Sequence, residues 1–135
     1  MGAAGACPDA SRGWRIAGID NMNVPEAACP VLAYGDTPTC PTGFGTVMRH
    51  VLVGLAATGR YDIDLIGVNF FGDYYDRGEF PLRIYPAYRP GSRELHGRER
   101  LVRVLSGKDQ KLRGPWRILF TLHDDYVLEP VVPKI

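Results

Sequence analysis

The segment Val31-Leu-Ala-Tyr-Gly-Asp-Thr-Pro-Thr-Cys-Pro-Thr-Gly-Phe-Gly-Thr-Val-Met-Arg-His-Val-Leu-Val-Gly-Leu55 decides the fold of this chain. A short apolar run ends at Gly35 and Asp36, a loop rich in Pro and Thr follows, and Gly43-Phe44-Gly45 opens a stretch with helical periodicity. This order directs a helix N-terminus, with unpaired N–H groups and partial positive charge, toward the end of a strand. It therefore predicts a site for an anion such as a diphosphate, which glycines allow to approach closely.

The same glycines also have a purely structural explanation. The spacing is not that of the dinucleotide fingerprint, because Met48 stands three residues after Gly45, and no Gly-Lys-Ser/Thr of a P-loop follows. Gly43 and Gly45 could simply relieve steric crowding at a helix start that Thr42 caps. The local pattern leaves the ligand loop and the plain helix start both open.

Composition limits the class of protein. With 135 residues, 45% hydrophobic and 23% charged, the chain is predicted to be a globular domain that buries about two-thirds of its unfolded surface. A net charge of +1 gives no reason to expect a nucleic-acid partner. No apolar run approaches the ~20 residues of an integral membrane segment, and the N-terminus lacks a basic signal-peptide start. We predict a cytoplasmic protein.

The three cysteines do not form a recognisable motif. Cys7, Cys29 and Cys40 are odd in number and widely spaced, with neither a CxxC pair nor a zinc-binding set. We therefore predict free or buried thiols in a reducing compartment and no metal. Cys40 lies in the candidate ligand loop and could be reactive, although no activating base stands near it in sequence.

Short apolar strands alternate with amphipathic helices along the chain. The predicted strands are 31–34, 62–69, 82–85 and 118–122, and the predicted helices are 44–58, 97–105 and 125–129. Such alternation predicts an α/β fold with a Rossmann-like parallel sheet flanked by helices, in one domain over residues 30–135. Residues 1–29 are predicted to be a tail followed by an N-terminal segment without a clear assignment. In this region 16–19 could form a short strand, and 21–30 is predicted to be a loop. The basic stretch 93–117 is predicted to be a solvated helix face, with Arg98, Arg100 and Arg103 outward.

Polar residues follow three of the predicted strands. They are Asp36, Asn69 with Asp73, and His123 with Asp124. Ligands of parallel α/β sheets bind outside the carboxyl ends of the strands, so these groups are expected to converge there and to hydrogen-bond sugar hydroxyls. Each has a simpler alternative: His123 could bond a backbone carbonyl, Asp124 could cap the following helix, and the 69–76 loop could pack its aromatic side chains.

Taken in order, these motifs resemble the N-terminal domain of the group 1 class of retaining glycosyltransferases with the GT-B fold. The resemblance rests on the run from Gly35 to Thr46, Arg49, the run from Gly67 to Asp73, Ile84-Tyr-Pro86, Gly97-Arg-Glu-Arg-Leu101 and Ile118-Leu-Phe-Thr-Leu-His-Asp124. It covers residues 30–130 and implies one half of a GT-B architecture, in which a sugar passes from a nucleotide-diphosphate donor to an acceptor without a metal.

The resemblance also implies roles for individual residues. Gly43, Phe44 and Gly45 would approach the donor diphosphate, where backbone N–H groups offset developing charge. His123 would face the donor sugar at the reacting centre, with Asp124 beside it. The acceptor would be held by the loop that contains the residues Asn69, Asp73 and Tyr74. The nucleotide-sugar is a substrate, so no cofactor is expected.

The second domain of that family has no counterpart before Ile135. The resemblance therefore predicts a truncated chain, or a half that needs a missing C-terminal domain or a partner chain, and no transferase activity by this polypeptide alone. Two other classes stay open at this stage: a stand-alone binding module for a phosphorylated small ligand, and a non-enzymatic interaction domain.

Overall fold

The computed structural model describes residues 27–94 and 96–131. Its elements, in chain order, are β1 (Cys29–Asp36), α1 (Gly43–Ala57), β2 (Tyr61–Val68), β3 (Arg83–Pro86), α2 (Arg98–Leu105), β4 (Ile118–Leu122) and α3 (Asp125–Leu128). Every predicted element of residues 30–131 is present, with bounds shifted by at most two residues. The class is α/β and Rossmann-like, as predicted.

The four strands form one parallel sheet in the order β3-β2-β1-β4. Val31 of β1 lies between Ile63 of β2 and Ile118 of β4, which sets the register of the two central pairings. The chain builds outward from β1 to β2 and β3, then returns to the other side of β1 as β4. The carboxyl ends of β1 and β4 therefore form the topological switch point, where open α/β sheets bind ligands.

Alternation along β1 divides the apolar residues between the two faces of the sheet. Leu32 and Tyr34 are completely buried in a core that includes Leu101 and Val104 of α2. On the opposite face, Val31 and Ala33 pack in a second core whose members from the helix α1 are Met48 and Leu52. Both faces of the sheet are thus covered, which explains why its central strands are almost continuously apolar.

One expectation for α2 is wrong. Leu101 and Val104 point inward as predicted, but the side chain of Arg100 is only 13% exposed. Its guanidinium donates hydrogen bonds to the carbonyl of Pro86 and to the carboxylate of Asp109. Asp109 also accepts the N–H groups of Lys111 and Leu112, so the loop after α2 folds around this ion pair. The basic stretch is therefore partly structural, because a long side chain with a buried partner need not face solvent.

The N-terminal region also departs from the prediction. Cys29 and Pro30, assigned to a loop from the sequence, belong to β1. Cys29 is disulfide-bonded, so the prediction of a free or buried thiol is wrong for this residue, whereas Cys40 is a free cysteine. The candidate strand at 16–19 and the tail lie outside the described residues. None of the helices in the described part of the chain is long and apolar enough to cross a membrane.

Candidate functional site

The hydroxyl of Thr42 joins the start of α1 to the end of β1. Its Oγ1 accepts the N–H of Gly45 at 2.9 Å, which is the N-cap hydrogen bond of the helix, and donates to Oδ2 of Asp36 at 2.8 Å. The backbone carbonyl of Thr42 accepts the N–H of Thr46. These three bonds hold the helix N-terminus against the carboxyl end of the central strand.

Two backbone donors remain at this end of α1. The first N–H groups of a helix have no intrahelical acceptor, and here Thr42 satisfies that of Gly45. The N–H groups of Gly43 and Phe44 have no acceptor among the described residues. They provide the positive end of a 15-residue helix with donors for an anionic oxygen.

The two glycines of the predicted ligand loop have different surroundings. A Cβ on Gly45 would lie 2.4 Å from the carbonyl oxygen of Cys40 and 2.8 Å from that of Thr37, so this glycine is required by the packing of the loop itself. A Cβ on Gly43 would meet nothing within 4 Å. The structural explanation therefore applies to Gly45, whereas Gly43 borders open space.

His123 follows β4 and lies at the same edge as the N-terminus of α1. Its ring centroid is 6.3 Å from that of Phe44, 6.0 Å from that of Tyr34 and 5.5 Å from that of His96. Its side chain is only 6% exposed. The predicted convergence of the glycine loop and the strand-end histidine is thus present, although aromatic rings enclose the imidazole more fully than the sequence indicates.

The hydrogen bonds of His123 indicate its tautomer. Its Nδ1 accepts the N–H of Asp124 at 2.9 Å, so the proton of the neutral ring lies on Nε2. Nε2 is buried, has no hydrogen-bond partner among the described residues, and lies 3.7 Å from Oδ1 of Asp36. The imidazole therefore has one donor that the described part of the chain leaves unsatisfied.

Burial keeps this imidazole uncharged. Removal from water is the largest influence on His123 and lowers its pKa below the ordinary range, and the neighbouring His96 acts in the same direction. The carboxylates of Asp36 and Asp124 oppose the shift without reversing it. Burial also raises the pKa of Tyr34, whose hydroxyl donates to the carbonyl of His96. The imidazole of His123 and the phenol of Tyr34 are therefore uncharged at neutral pH.

Asp124 takes part through its backbone. Besides the N–H that bonds His123, its carbonyl accepts the N–H of Val127 at the start of α3. Its position is exposed. Asp124 thus orients the imidazole through its N–H and begins α3 through its carbonyl, and its exposed position leaves ligand contact a prediction.

The three predicted acceptor residues have different surroundings. Asn69, directly after β2, has a φ of +61°, a left-handed conformation that Asn tolerates better than most residues, so its identity has a backbone explanation. Tyr74 is 93% exposed. Asp73 lines a separate cavity beside β3, together with Tyr85 and Tyr88. The neighbouring Tyr75 is structural, because its hydroxyl donates to the carbonyl of Leu82.

Two residues of the cluster were not selected as site residues from the sequence. The sequence indicates Asp36 only as a polar residue at a strand end, but its two carboxylate oxygens face Thr42 and His123. His96 lies in the loop before α2, and no sequence pattern connects it with β4. An apolar strip on α1, formed by Phe44, Val47 and Val51, leads away from this cluster and is exposed by 36–48%.

The described residues contain no group of three or more His, Cys, Asp or Glu side chains that could hold a metal ion. Comparisons with protein-family models, curated proteins and solved structures each found no match. The resemblance to group 1 glycosyltransferases therefore rests on the motifs quoted above. Chemically, the edge at β1 and β4 offers two backbone N–H donors, the carboxyl group of Asp36 as an acceptor and the neutral imidazole of His123 as a donor.

Proposed function

We propose that this chain is the acceptor-side domain of a glycosyltransferase that takes a sugar from a nucleotide-diphosphate donor. The observation that carries the proposal is the meeting of two features at the switch point of the sheet. Within residues 27–94 and 96–131, one is the pair of N–H groups of Gly43 and Phe44 without an acceptor, and the other is the buried Nε2 of His123 without a hydrogen-bond partner. A lone helix N-terminus would be a weak indication, but beside it the described residues leave an imidazole nitrogen without a hydrogen bond, its nearest acceptor being Oδ1 of Asp36 at 3.7 Å, and this favours a polar ligand.

The chemistry of this edge suits a ligand with both phosphate and hydroxyl groups. The N–H groups of Gly43 and Phe44 would bind diphosphate oxygens and offset the charge that develops on the leaving group. The carboxylate of Asp36, next to them, would repel a phosphate but would accept hydrogen bonds from sugar hydroxyls. His123, held by Asp124, would donate Nε2–H to a sugar oxygen once the ring of Phe44 gives access.

The apolar strip on α1 supports completion of the site by a second domain. Phe44, Val47 and Val51 are one and two turns apart, and Phe44 also contacts His123. A domain that closed over the donor site would cover this strip. We therefore propose that transfer requires a second Rossmann-like domain, on the same polypeptide or on a partner chain.

Donor binding can be tested with a pair of variants at Gly43. Gly43 is the first helical residue, Thr42 before it has extended dihedrals, and the space around it is open, so Gly43→Pro removes one N–H with little strain. Gly43→Ala retains the N–H. In ¹H–¹⁵N NMR titrations with UDP-glucose, GDP-mannose and ADP-glucose, we expect at least one probe to shift the amides of Gly43–Gly45. The proline variant should bind it about tenfold more weakly, and the alanine variant as well as the wild type.

Two results would contradict the proposal. If none of the three probes, nor pyrophosphate, shifts the amides of Gly43–Gly45, the edge is not a diphosphate site. If the chain alone transfers sugar from one of the donors, no second domain is needed.

The alternative of a stand-alone binding module is favoured by the same free N–H groups. It predicts tight binding of a free nucleotide or sugar phosphate to this chain alone by calorimetry, with no contribution from an added domain. A weak isolated affinity that rises when the second domain is present distinguishes the transferase.

A further inference from the structure

A second concave surface lies beside the edge strand β3. It is a cavity of about 730 Å³ between the loop after β2, the end of β3 and the segment from α2 to residue 111. Cavities of 300–1,000 Å³ are typical of small-molecule sites. It does not include Gly43, Phe44 or His123, so it is separate from the edge formed by β1 and β4.

The lining of this cavity is strongly basic although the whole chain is nearly neutral. Five basic side chains border it: Arg89, Arg100, Arg103, Lys108 and Lys111. The acidic residues of the lining are Asp73 and Asp109, which leaves a formal charge of +3, against +1 for all 135 residues. The positive charge of the protein is therefore concentrated at this place, which raises the local concentration of anions.

The carboxylate of Asp109 is already engaged and cannot neutralise the cavity. Its Oδ2 is 3.3 Å from Nε of Arg100 and 4.0 Å from Nη2 of Arg103, and its Oδ1 accepts two backbone N–H groups. Although burial alone would raise it, the pKa of Asp109 is lowered by these backbone hydrogen bonds and by Arg100. One ionised carboxylate thus serves two guanidinium groups.

One guanidinium is fixed and the other has an unsatisfied donor. Arg100 is held by the carbonyl of Pro86 and by Asp109, which orients its planar group in the wall. The Nε of Arg103 is buried, and no acceptor for it lies within residues 27–94 and 96–131. The Arg103 side chain as a whole is 39% exposed, and its Nη2 is 4.0 Å from the carboxylate of Asp109, so its terminal nitrogens can donate to an anionic oxygen in the cavity.

We propose that this cavity binds the phosphate group of a small phosphorylated organic ligand. The fixed guanidinium of Arg100 and the neighbouring one of Arg103 match phosphate oxygens, and a dianion compensates the excess charge better than one carboxylate does. The five cations line one concavity of small-molecule size, which favours a small ligand over a nucleic acid. The exposed carboxylate of Asp73 and the hydroxyls of Tyr85 and Tyr88 can hydrogen-bond the hydroxyls of the organic part.

This ligand corresponds to the acceptor only if the chain is a glycosyltransferase domain, so that identification rests on the proposed function. Asp73, one of the residues predicted to bind the acceptor, belongs to this cavity. The proposal then gives the acceptor a chemical class: it carries a phosphate ester.

The test uses the full chain with glucose 6-phosphate, inorganic phosphate and gluconate as probes, followed by ¹H–¹⁵N NMR. We expect glucose 6-phosphate to shift the amides of Tyr88, Arg89 and residues 108–111, and to bind more tightly than the other two probes. Arg103→Gln and Lys111→Gln should each weaken it about tenfold. Arg60→Gln, an exposed cation at the opposite end of the sheet, is the matched control and should bind as the wild type does.

Each other outcome overturns part of the proposal. Equal affinity for inorganic phosphate and glucose 6-phosphate would show that no organic ligand is recognised, and preferential binding of gluconate would exclude the phosphate. Equal losses in Arg103→Gln, Lys111→Gln and Arg60→Gln would indicate non-specific attraction. Because Lys111 contributes only its backbone to the Asp109 network, its variant stays informative if Arg103→Gln does not fold.

The two proposals can fail separately. Glucose 6-phosphate shifts in the cavity, without nucleotide-sugar shifts at Gly43–Gly45, would support this inference and contradict the sugar-transfer proposal. Nucleotide-sugar shifts at Gly43–Gly45 without any binding in the cavity would have the opposite meaning.

Discussion

Thr42 is the residue on which the geometry of the site most directly depends, because one hydroxyl both caps α1 and donates to Asp36. Thr42→Val keeps the shape and removes both hydrogen bonds. We expect a loss of about 1–2 kcal/mol in the free energy of unfolding, measured in urea. Thr42→Ser retains the hydroxyl and should stay within about 0.5 kcal/mol of the wild type. Equal effects of Val and Ser would show that the hydroxyl contributes nothing.

His123 predicts how stability depends on pH. Its pKa is lowered in the folded protein by burial, whereas in the unfolded chain it is about 6.5. Between those two values the unfolded state binds more protons, so the contribution of His123 to stability is complete above about pH 6.5 and declines as the pH falls to the folded-state value.

The measurement is urea unfolding at pH 8 and at pH 5. His123→Gln should lose less stability on acidification than the wild type does. The exposed His50→Gln serves as the control and should behave as the wild type does. An acid-induced loss as large in His123→Gln as in the wild type would mean that the imidazole is not buried in its neutral form.

At this scale the sequence allows some side chains to be placed and not others. The sequence predicts that Gly43 and His123 lie near each other, because residues that follow parallel strands share one edge of the sheet. His96 could not be placed in this way, because it stands in a loop whose path depends on tertiary packing. The prediction that Arg100 faces solvent is wrong, because helical periodicity does not reveal that its guanidinium donates hydrogen bonds to Asp109 and to the carbonyl of Pro86.

At the scale of elements, two of the three glycines in α1 have opposite requirements. Gly54 is exposed, and a Cβ there would meet nothing within 4 Å, so Gly54→Ala should stabilise the protein by about 0.5–1 kcal/mol. Gly45→Ala would press a methyl group against two backbone carbonyls and should destabilise it by about 1–3 kcal/mol. Thermal unfolding of both variants is the measurement, and a neutral Gly45→Ala would contradict the crowding.

The elements themselves were predictable because each has a strong local signal. The strand Ile118–Leu122 was predicted at its observed bounds, and α1 within one residue at each end. The start of β1 was not, because Pro30 is uncommon within a strand interior and Cys29 gives no local signal. β1 starts earlier than its local sequence indicates because it pairs with β2 from Cys29 onward, where Cys29 lies opposite Tyr61.

At the scale of the whole molecule, the strand order predicts where the backbone is most protected. β1 pairs on both sides and β2 on both sides, whereas β3 is a four-residue edge strand. Amide hydrogen exchange should therefore be slowest in Ala33, Tyr34, Leu65 and Ile66, and faster in β3. Equal protection of β3 and β1 would contradict the order of the sheet.

The order β3-β2-β1-β4 was not readable from the chain, although its parallel character was. Alternating strands and helices require parallel crossovers. The side of β1 on which β4 pairs depends, however, on how the helices are distributed between the two apolar faces of the sheet. Leu32 and Tyr34 pack with α2, and Ala33 packs with α1, a division that only the assembled sheet displays.

The bridge through Thr42 has a thermodynamic consequence for anything that docks at the β1 and β4 edge. Hydrogen bonds already connect the end of β1, the loop and the first turn of α1 before a ligand binds. Binding then requires little further ordering of the protein. The heat-capacity change of binding should therefore reflect only the apolar area that the ligand covers, and not a coupled folding transition.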